Sequence, residues 1–418
     1  MIVARLALQS LRNRWITVLL TILAISVSVM LLLGVEKVRN GARDSFAGTV
    51  SGADVVIGAR SGGMQLLLYS VFRIGNATNN VTWRTYQDIV SRSEVAWAIP
   101  LSLGDSHRGF RVIGTTPDYF EHLRYRGGQA LTFAAGVPFD DLFDVVLGSE
   151  VATRLGYDIG DNITVAHGMG SVGSQHDDLP FRVSGILART GTPVDKSLHV
   201  SLKAVEAIHV DWRSGSRIPG QVTPADRLRQ MSLPPKAITA AIIGLNSRLQ
   251  VVAFQRAVNE YRAEPLSAVL PGVALQEMWG LVATAETALL GVSAMVVVTS
   301  MLGLSAMILS TLNERRREIA ILRSLGARPR TVAGLLVGEA TLLTLAGIAI
   351  GTAALYAVLV VTRPLVDRQF GIDIGLQPPS TTDALLLLAI LIGGLAAGFL
   401  PACRAYRMSL ADGMMVRT

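Results

Sequence analysis

The sequence predicts an α-helical membrane protein with four transmembrane helices plus a large α+β domain inserted between the first and second. Three observations predict it. Half of the 418 residues are hydrophobic, only 17% are charged, and the mean hydropathy is +0.44. That balance is too apolar for an ordinary soluble domain and too polar for a chain that is all membrane. Four apolar stretches reach the roughly twenty residues a helix needs to cross a bilayer core. Between the first and second of them, residues 39–280 switch to short alternating runs bounded by turn residues.

Residues 1–38 hold an N-terminal helix and the first span, "WITVLLTILAISVSVMLLLGV", Trp15 to Val35. Its apolar run exceeds the ~7–15 residues of a signal-peptide core and no small-residue cleavage pattern follows, so it is expected to stay as an anchor. Residues 281–312 carry the second span, 331–362 the third, and 384–418 the fourth with its C-terminal tail. Lys and Arg favour cytoplasmic loops. Arg5, Arg12 and Arg14 therefore put the N-terminus inside. The six arginines of residues 313–330, and Arg404, Arg407 and Arg417, fall on the same side. The loop 363–383, with two arginines against three aspartates, falls on the other. All four spans agree with one orientation, which leaves residues 39–280 in the periplasm or its equivalent. The net charge of +7 is thus read as topology, not as a nucleic-acid groove. The single cysteine, Cys403, can build neither a disulfide framework nor a Cys-based metal site.

Glycines at GxxxG spacing, which lets helices approach closely, occur at Gly334/Gly338, Gly347/Gly351 and Gly394/Gly398. Glu339, inside the third span, is expected to face a partner helix or the interface rather than lipid.

In the inserted domain, "ADVVIGA", "FRVIGT", "DVVLGS", "NITVAHG", "FRVSGIL" and "SLHVSL" read as strands. "WRTYQDIVSR", "SEVATRLGY" and "LKAVEAIHVDW" read as helices, giving an α+β domain expected to have two lobes. Arg213–Pro235, with four prolines, reads as an internal linker. From about Gln276 a helix is expected to run on into the second span. The segment "GGMQLLLYSVFRIG", Gly62 to Gly75, is apolar from Met64 to Phe72 yet too short to span. It is either a buried core segment or an exposed element. In the second case Met64, Leu66, Leu67, Leu68 and Phe72 would meet a partner protein, a lipid chain or the membrane surface.

Motifs of catalysis are missing or out of context. "GMGSVG", Gly168–Gly173, matches GxGxxG, but loop-like "SQHDDLPF" follows where a dinucleotide site needs a helix. No GxxxxGK[ST], HExxH or GxSxG occurs in these residues, and no nucleophile, base and orienter stand together, so no enzyme is expected. "QHDD", with His176, Asp177 and Asp178 beside His167 or His199, is a weak candidate for a divalent metal. Such loops are more often simply solvated, and no metal is expected.

The stretch between the second and third spans is different. In "NERRREIAILRSLGARPR", Asn313–Arg330, a helix would align Ile319, Leu322 and Leu325, with Ile321 beside them, in one apolar stripe. Glu314, Arg316, Arg317 and Glu318 take the other faces, Gly326 supplies a stop, and Pro329 breaks the pattern. Charge that only fixes topology would not need an ordered stripe. A short amphipathic helix between two spans suits docking into a groove of a cytoplasmic partner.

"ERRREIAILRSLGARPRTV" closely resembles the cytoplasmic loop of the FtsX/MacB-type, mechanotransmitting (type VII) ABC transporter permeases. "ALQSLRNRWITVLLTILAI" is similar to that family's N-terminal helix and first span, and "PACRAYRMSLADGM" to its C-terminal exit. "DVVLGSEVATRLGYDIGDNITV" and "FRVSGILARTGTPVDKSLHVSL" are similar to its periplasmic core domain. The resemblance implies a non-catalytic permease subunit of the bacterial inner membrane, with both termini cytoplasmic, that pairs with a second permease protomer, most simply as a homodimer. Lacking a fused ATPase domain, it is closer to the lipoprotein-releasing organisation than to the macrolide exporters. A separate cytoplasmic ABC ATPase would then bind ATP and Mg, with no cofactor in this chain. Carried over, Glu314, Arg317, Glu318, Ile321, Leu322 and Gly326 would contact the ATPase, and the helix into the second span would act as a lever. The periplasmic domain would engage cargo for export or for lipoprotein or lipid extraction, or a periplasmic adaptor, a lipoprotein or a substrate-binding protein, beside membrane lipids. The alternatives are an ATP-driven regulator of a periplasmic hydrolase or sensor, and metal-linked transport.

Overall fold

The structure, a computed structural model, describes residues 14–49, 51–168, 178–213, 216–217, 222–314, 323–324, 327–370, 376 and 378–407. The chain forms two compact units. One comprises Met1–Gly41, Ala283–Gln369 and Ile374–Thr418; the other, the sheet domain, comprises Ala42–Val282 with Phe370–Asp373.

Nine strands of the sheet domain lie in one row: β1 (Val55–Ala59), β2 (Val95–His107), β3 (Phe110–Thr115), β4 (Phe133–Gly136), β5 (Asp144–Leu147), β6 (Phe181–Leu187), β7 (Ser197–Ser201), β8 (Ala240–Leu245) and β9 (Leu266–Val269). Their order is β9-β1-β8-β2-β3-β7-β5-β6-β4. The pairs β3/β7 and β5/β6 are parallel and the others antiparallel. Short strands at Asn162–Ile163 and Ala166–His167 pair beside the row with β6 and β2. The 13-residue β2 serves both halves, pairing with β8 along Val95–Leu101 and with β3 along Ser102–His107.

Side chains alternate across a strand, and here both faces are covered. Val56, Ala240, Ile242 and Val146 enter one core, shared with Tyr119, Phe120 and Leu275. Val55, Ile57, Ala241 and Ile243 enter a second, beneath the helices Trp83–Val90 and Val251–Asn259. Val145 and Leu147 enter a third, beneath Ser149–Leu155 and Leu202–Ile208. Burial on both faces is why β1, β5 and β8 carry buried residues at consecutive positions rather than in the alternation expected from the sequence.

The helices start and stop where local chemistry directs. Thr82 and Ser201 are N-caps whose hydroxyl oxygens accept from the N–H of Thr85 (3.3 Å) and Ala204 (3.1 Å). Gly156, at φ +69, ends Ser149–Leu155 in the left-handed conformation that a Cβ disfavours. The proline-rich segment is less of a linker than its composition suggests. It contains the helix Ala225–Gln230, whose Leu228 is buried in the third core while Arg229 holds Asp141 at 3.0 Å.

Among the described residues, four helices are long and apolar enough to cross a membrane: Trp15–Asp44, Val282–Leu312, Pro329–Arg363 and Thr381–Tyr406. The shortest has 26 residues, or about 39 Å at 1.5 Å per residue, more than the ~30 Å bilayer core. The helix holding the second span is one element, Pro271–Glu314, and starts earlier than Gln276.

Candidate functional site

Arg317, Glu318, Ile321, Leu322 and Gly326 lie outside the described residues, and Glu314 is the last residue of the second-span helix. Pro329 opens the third-span helix, where its missing N–H costs nothing. Thr331 N–H donates to Arg328 O at 2.9 Å in that first turn. The amphipathic stretch is therefore strung between the ends of two membrane-length helices.

Small and hydroxylated residues bring the four helices together. The Oγ atoms of Ser28 in the first and Ser300 in the second are 2.5 Å apart, and Ser300 Oγ also donates to Ala24 O at 3.3 Å. Ser305 of the second donates to Ala397 O of the fourth at 2.9 Å. A Cβ on Gly347 or Gly351 would lie 2.5 Å from Ile25 Cγ2 or Ser26 O of the first helix. A Cβ on Gly394 or Gly398 would lie 2.2 Å from Thr344 Oγ1 or 2.5 Å from Ala340 Cβ of the third. At Gly334 and Gly338, which share the same spacing, an added Cβ would meet no atom of the described residues within 4 Å. Glu339 is buried.

An ion pair that the loop composition did not single out joins the first and fourth helices. Lys37 Nζ is 3.1 Å from Asp383 Oδ2, and the Asp383 side chain is 2% exposed. Asp383 also caps its own helix: its Oδ2 accepts from Ser380 N–H at 2.8 Å, while Ser380 Oγ accepts from Asp383 N–H at 3.1 Å. The signal was present as a capping box, Ser380-Thr381-Thr382-Asp383 ahead of an apolar run. One residue before Lys37, the buried Glu36 accepts from Arg39 at 2.9 Å and Asn40 at 3.1 Å. Buried charges of this kind persist only when paired, and breaking such a pair costs about 3–5 kcal/mol.

The apolar stretch of the sheet domain is a core helix, Gly63–Ser70, with its following turn. Leu66, Leu67 and Phe72 are buried, while Met64 and Leu68 are half-buried. The helix lies so close to β1 that a Cβ on Gly58 would stand 2.6 Å from Leu66 Cδ1. Contact of Leu66, Leu67 or Phe72 with a partner or lipid would require opening that core.

His176 and Asp177 lie outside the described residues, and Asp178 is exposed. His199 lies on β7 in the aromatic core, its ring 4.7 Å from that of Tyr119. Burial, with the positive charge of Arg73 nearby, pushes its pKa down to about 3. His167 instead meets Asp105 and His209, two residues that sequence reasoning did not select. A hydrogen bond to the Asp105 carboxylate holds His167 above the ordinary imidazole value. A second group, Asp118, Glu121 and His122, sits on one five-residue helix, with His122 stacked on Trp97 at 5.3 Å.

Two family models match the chain: the MacB-like periplasmic core domain over residues 18–233, and the FtsX-like permease C-terminal region over residues 290–410. Among solved structures, the chain is similar to the periplasmic region of MacB from Actinobacillus actinomycetemcomitans. The identity is 12% and the TM-score 0.33, covering 56% of this chain and 94% of that one. It is also similar to the extracellular domain of the noncanonic ABC-type transporter YknZ from Gram-positive bacteria. Here the identity is 11% and the TM-score 0.30, covering 52% of this chain and 98% of that one. None of the curated proteins compared matches it.

Proposed function

Because this chain belongs to the FtsX/MacB-type family of ABC transporter permeases, we propose that it couples ATP binding and hydrolysis on a partner ATPase to movement of a periplasmic domain. The observation that carries this reading is the arrangement along the chain. An amphipathic, arginine-rich segment joins two membrane-length helices, and the first of these is one helix, Pro271–Glu314, that begins beside the last strand of the sheet domain. The ATPase, with its ATP and Mg, docks on Glu314, Arg317, Glu318, Ile321, Leu322 and Gly326. The helix is the lever, and a second copy of the permease completes the assembly. Positive charge at residues 313–330 and at both termini supports an inner-membrane orientation with those parts cytoplasmic. The substrates are then periplasmic or envelope molecules, and this chain itself is not catalytic.

The test uses the ATPase that co-purifies with the chain from its native membrane. Leu322→Arg places a charge in the apolar stripe and is expected to abolish permease-dependent stimulation of ATP hydrolysis while leaving the ATPase's own rate unchanged. Stimulation equal to that of the parent would refute the docking site.

A further inference from the structure

Asp105, His167 and His209 come from three separate elements. Asp105 lies on β2, where the pairing with β3 slips between Leu103 and Ser106, a bulge that re-aims a side chain. His167 is directly opposite it on the short strand Ala166–His167. His209 is the residue that ends the helix Leu202–Ile208. Their donor atoms form a triangle: His167 Nδ1 to Asp105 Oδ1 is 3.1 Å, His209 Nε2 to His167 Nδ1 is 3.2 Å, and His209 Nε2 to Asp105 Oδ1 is 3.8 Å. Trp212 stands beside both imidazoles, at 5.8 and 6.1 Å between ring centres.

A purely hydrogen-bonded triad accounts poorly for this triangle. His209 Nδ1 lies 2.7 Å from Val205 O, an acceptor, so that nitrogen carries a proton, and in the neutral imidazole Nε2 keeps its lone pair. A proton on His167 Nδ1 must then serve two acceptors, a carboxylate oxygen and an imidazole nitrogen. A second proton, on His209 Nε2, would face the first across 3.2 Å. A cation satisfies all three lone pairs at once. Ligand atoms about 2.0–2.1 Å from a tetrahedral zinc ion stand about 3.3–3.4 Å apart, and the triangle's edges bracket that value. The Val205 carbonyl is the outer-shell acceptor that orients a metal-binding imidazole. Two imidazoles with one carboxylate suit zinc, copper or nickel rather than magnesium or calcium. The His167 side chain is 44% exposed, which leaves access for an entering ion and a fourth ligand.

We propose that Asp105, His167 and His209 bind one divalent transition-metal ion of the zinc class on the sheet domain. The site rests on the geometry of that domain alone and stands or falls separately from ATPase coupling. The test uses the full chain, purified in detergent and stripped by chelator, titrated with Zn²⁺. One ion per chain is expected. The double substitution His167→Gln with His209→Gln should weaken binding by about a hundredfold or more, since loss of even an outer-shell partner costs 10–100-fold. Co²⁺ in place of Zn²⁺ should give the intense visible bands of a four-coordinate nitrogen and oxygen site in the parent. Absence of stoichiometric binding overturns the proposal, as does parent-like affinity in the double variant. If that variant fails to fold, the Co²⁺ spectrum of the parent decides alone, and weak bands of a six-coordinate oxygen site overturn it.

Discussion

His199 holds a neutral imidazole among Tyr119 and Phe120, with a pKa of about 3 against the ordinary 6.5. The unfolded chain takes up its proton first as the pH falls. Stability is therefore full above about 6.5 and declines below it by up to about 1.4 kcal/mol per pH unit, until the folded pKa is reached. His199→Leu removes this acid loss. In thermal melts of the detergent-solubilised protein, the gap between parent and His199→Leu should shift in the variant's favour from pH 7 to pH 4. Parallel curves would dismiss the account. Residues such as this are the hardest to read in advance. "SLHVSL" announces a strand, but not that its histidine lies beneath an aromatic cluster. Asp105 and His209 likewise carry no local mark, because their meeting depends on a bulge and a helix end more than a hundred residues apart in the chain. Asp383 was legible, since a capping box is a four-residue pattern, but its partner Lys37 was not.

Among the elements, the membrane helices test how far spacing alone informs packing. Three glycine pairs have the same four-residue interval, yet only Gly347/Gly351 and Gly394/Gly398 meet a neighbouring helix. Periodicity places two glycines on one face without saying what that face meets. Gly351→Leu would drive a side chain into Ser26 and Val29, an overpacking that costs roughly 1–3 kcal/mol. At Gly338 an added Cβ would meet no described atom within 4 Å, so Gly338→Leu should cost less than Gly351→Leu. Melting temperatures in one detergent compare the two directly, and equal shifts would remove the packing role of Gly351. The Gly63–Ser70 helix shows the opposite ambiguity. Its Leu66, Leu67, Tyr69 and Ser70 are buried and Gln65 is its one exposed residue, so eight residues show too little polar periodicity to read, and an apolar run too short to span leaves helix, strand and exposed patch indistinguishable.

For the molecule as a whole, the four spans were legible because crossing a bilayer is a local requirement of length and composition. The strand order was not, since β3 with β7 and β5 with β6 pair across long stretches of chain. Orientation is checked on a Cys403→Ser background, with cysteine introduced as Arg316→Cys or as Gln65→Cys, an exposed position of the Gly63–Ser70 helix. A membrane-impermeant maleimide added to intact spheroplasts should label position 65 and not 316. Labelling of both, or of 316 alone, contradicts the charge-based topology. The shared strand β2 carries a mechanical consequence. One unbroken backbone from Val95 to His107 stitches β8 on one side to β3 on the other, so the two halves of the sheet are joined through a shared strand. A tug applied at either margin is borne across its full width, so whatever leans on one edge is felt at the other.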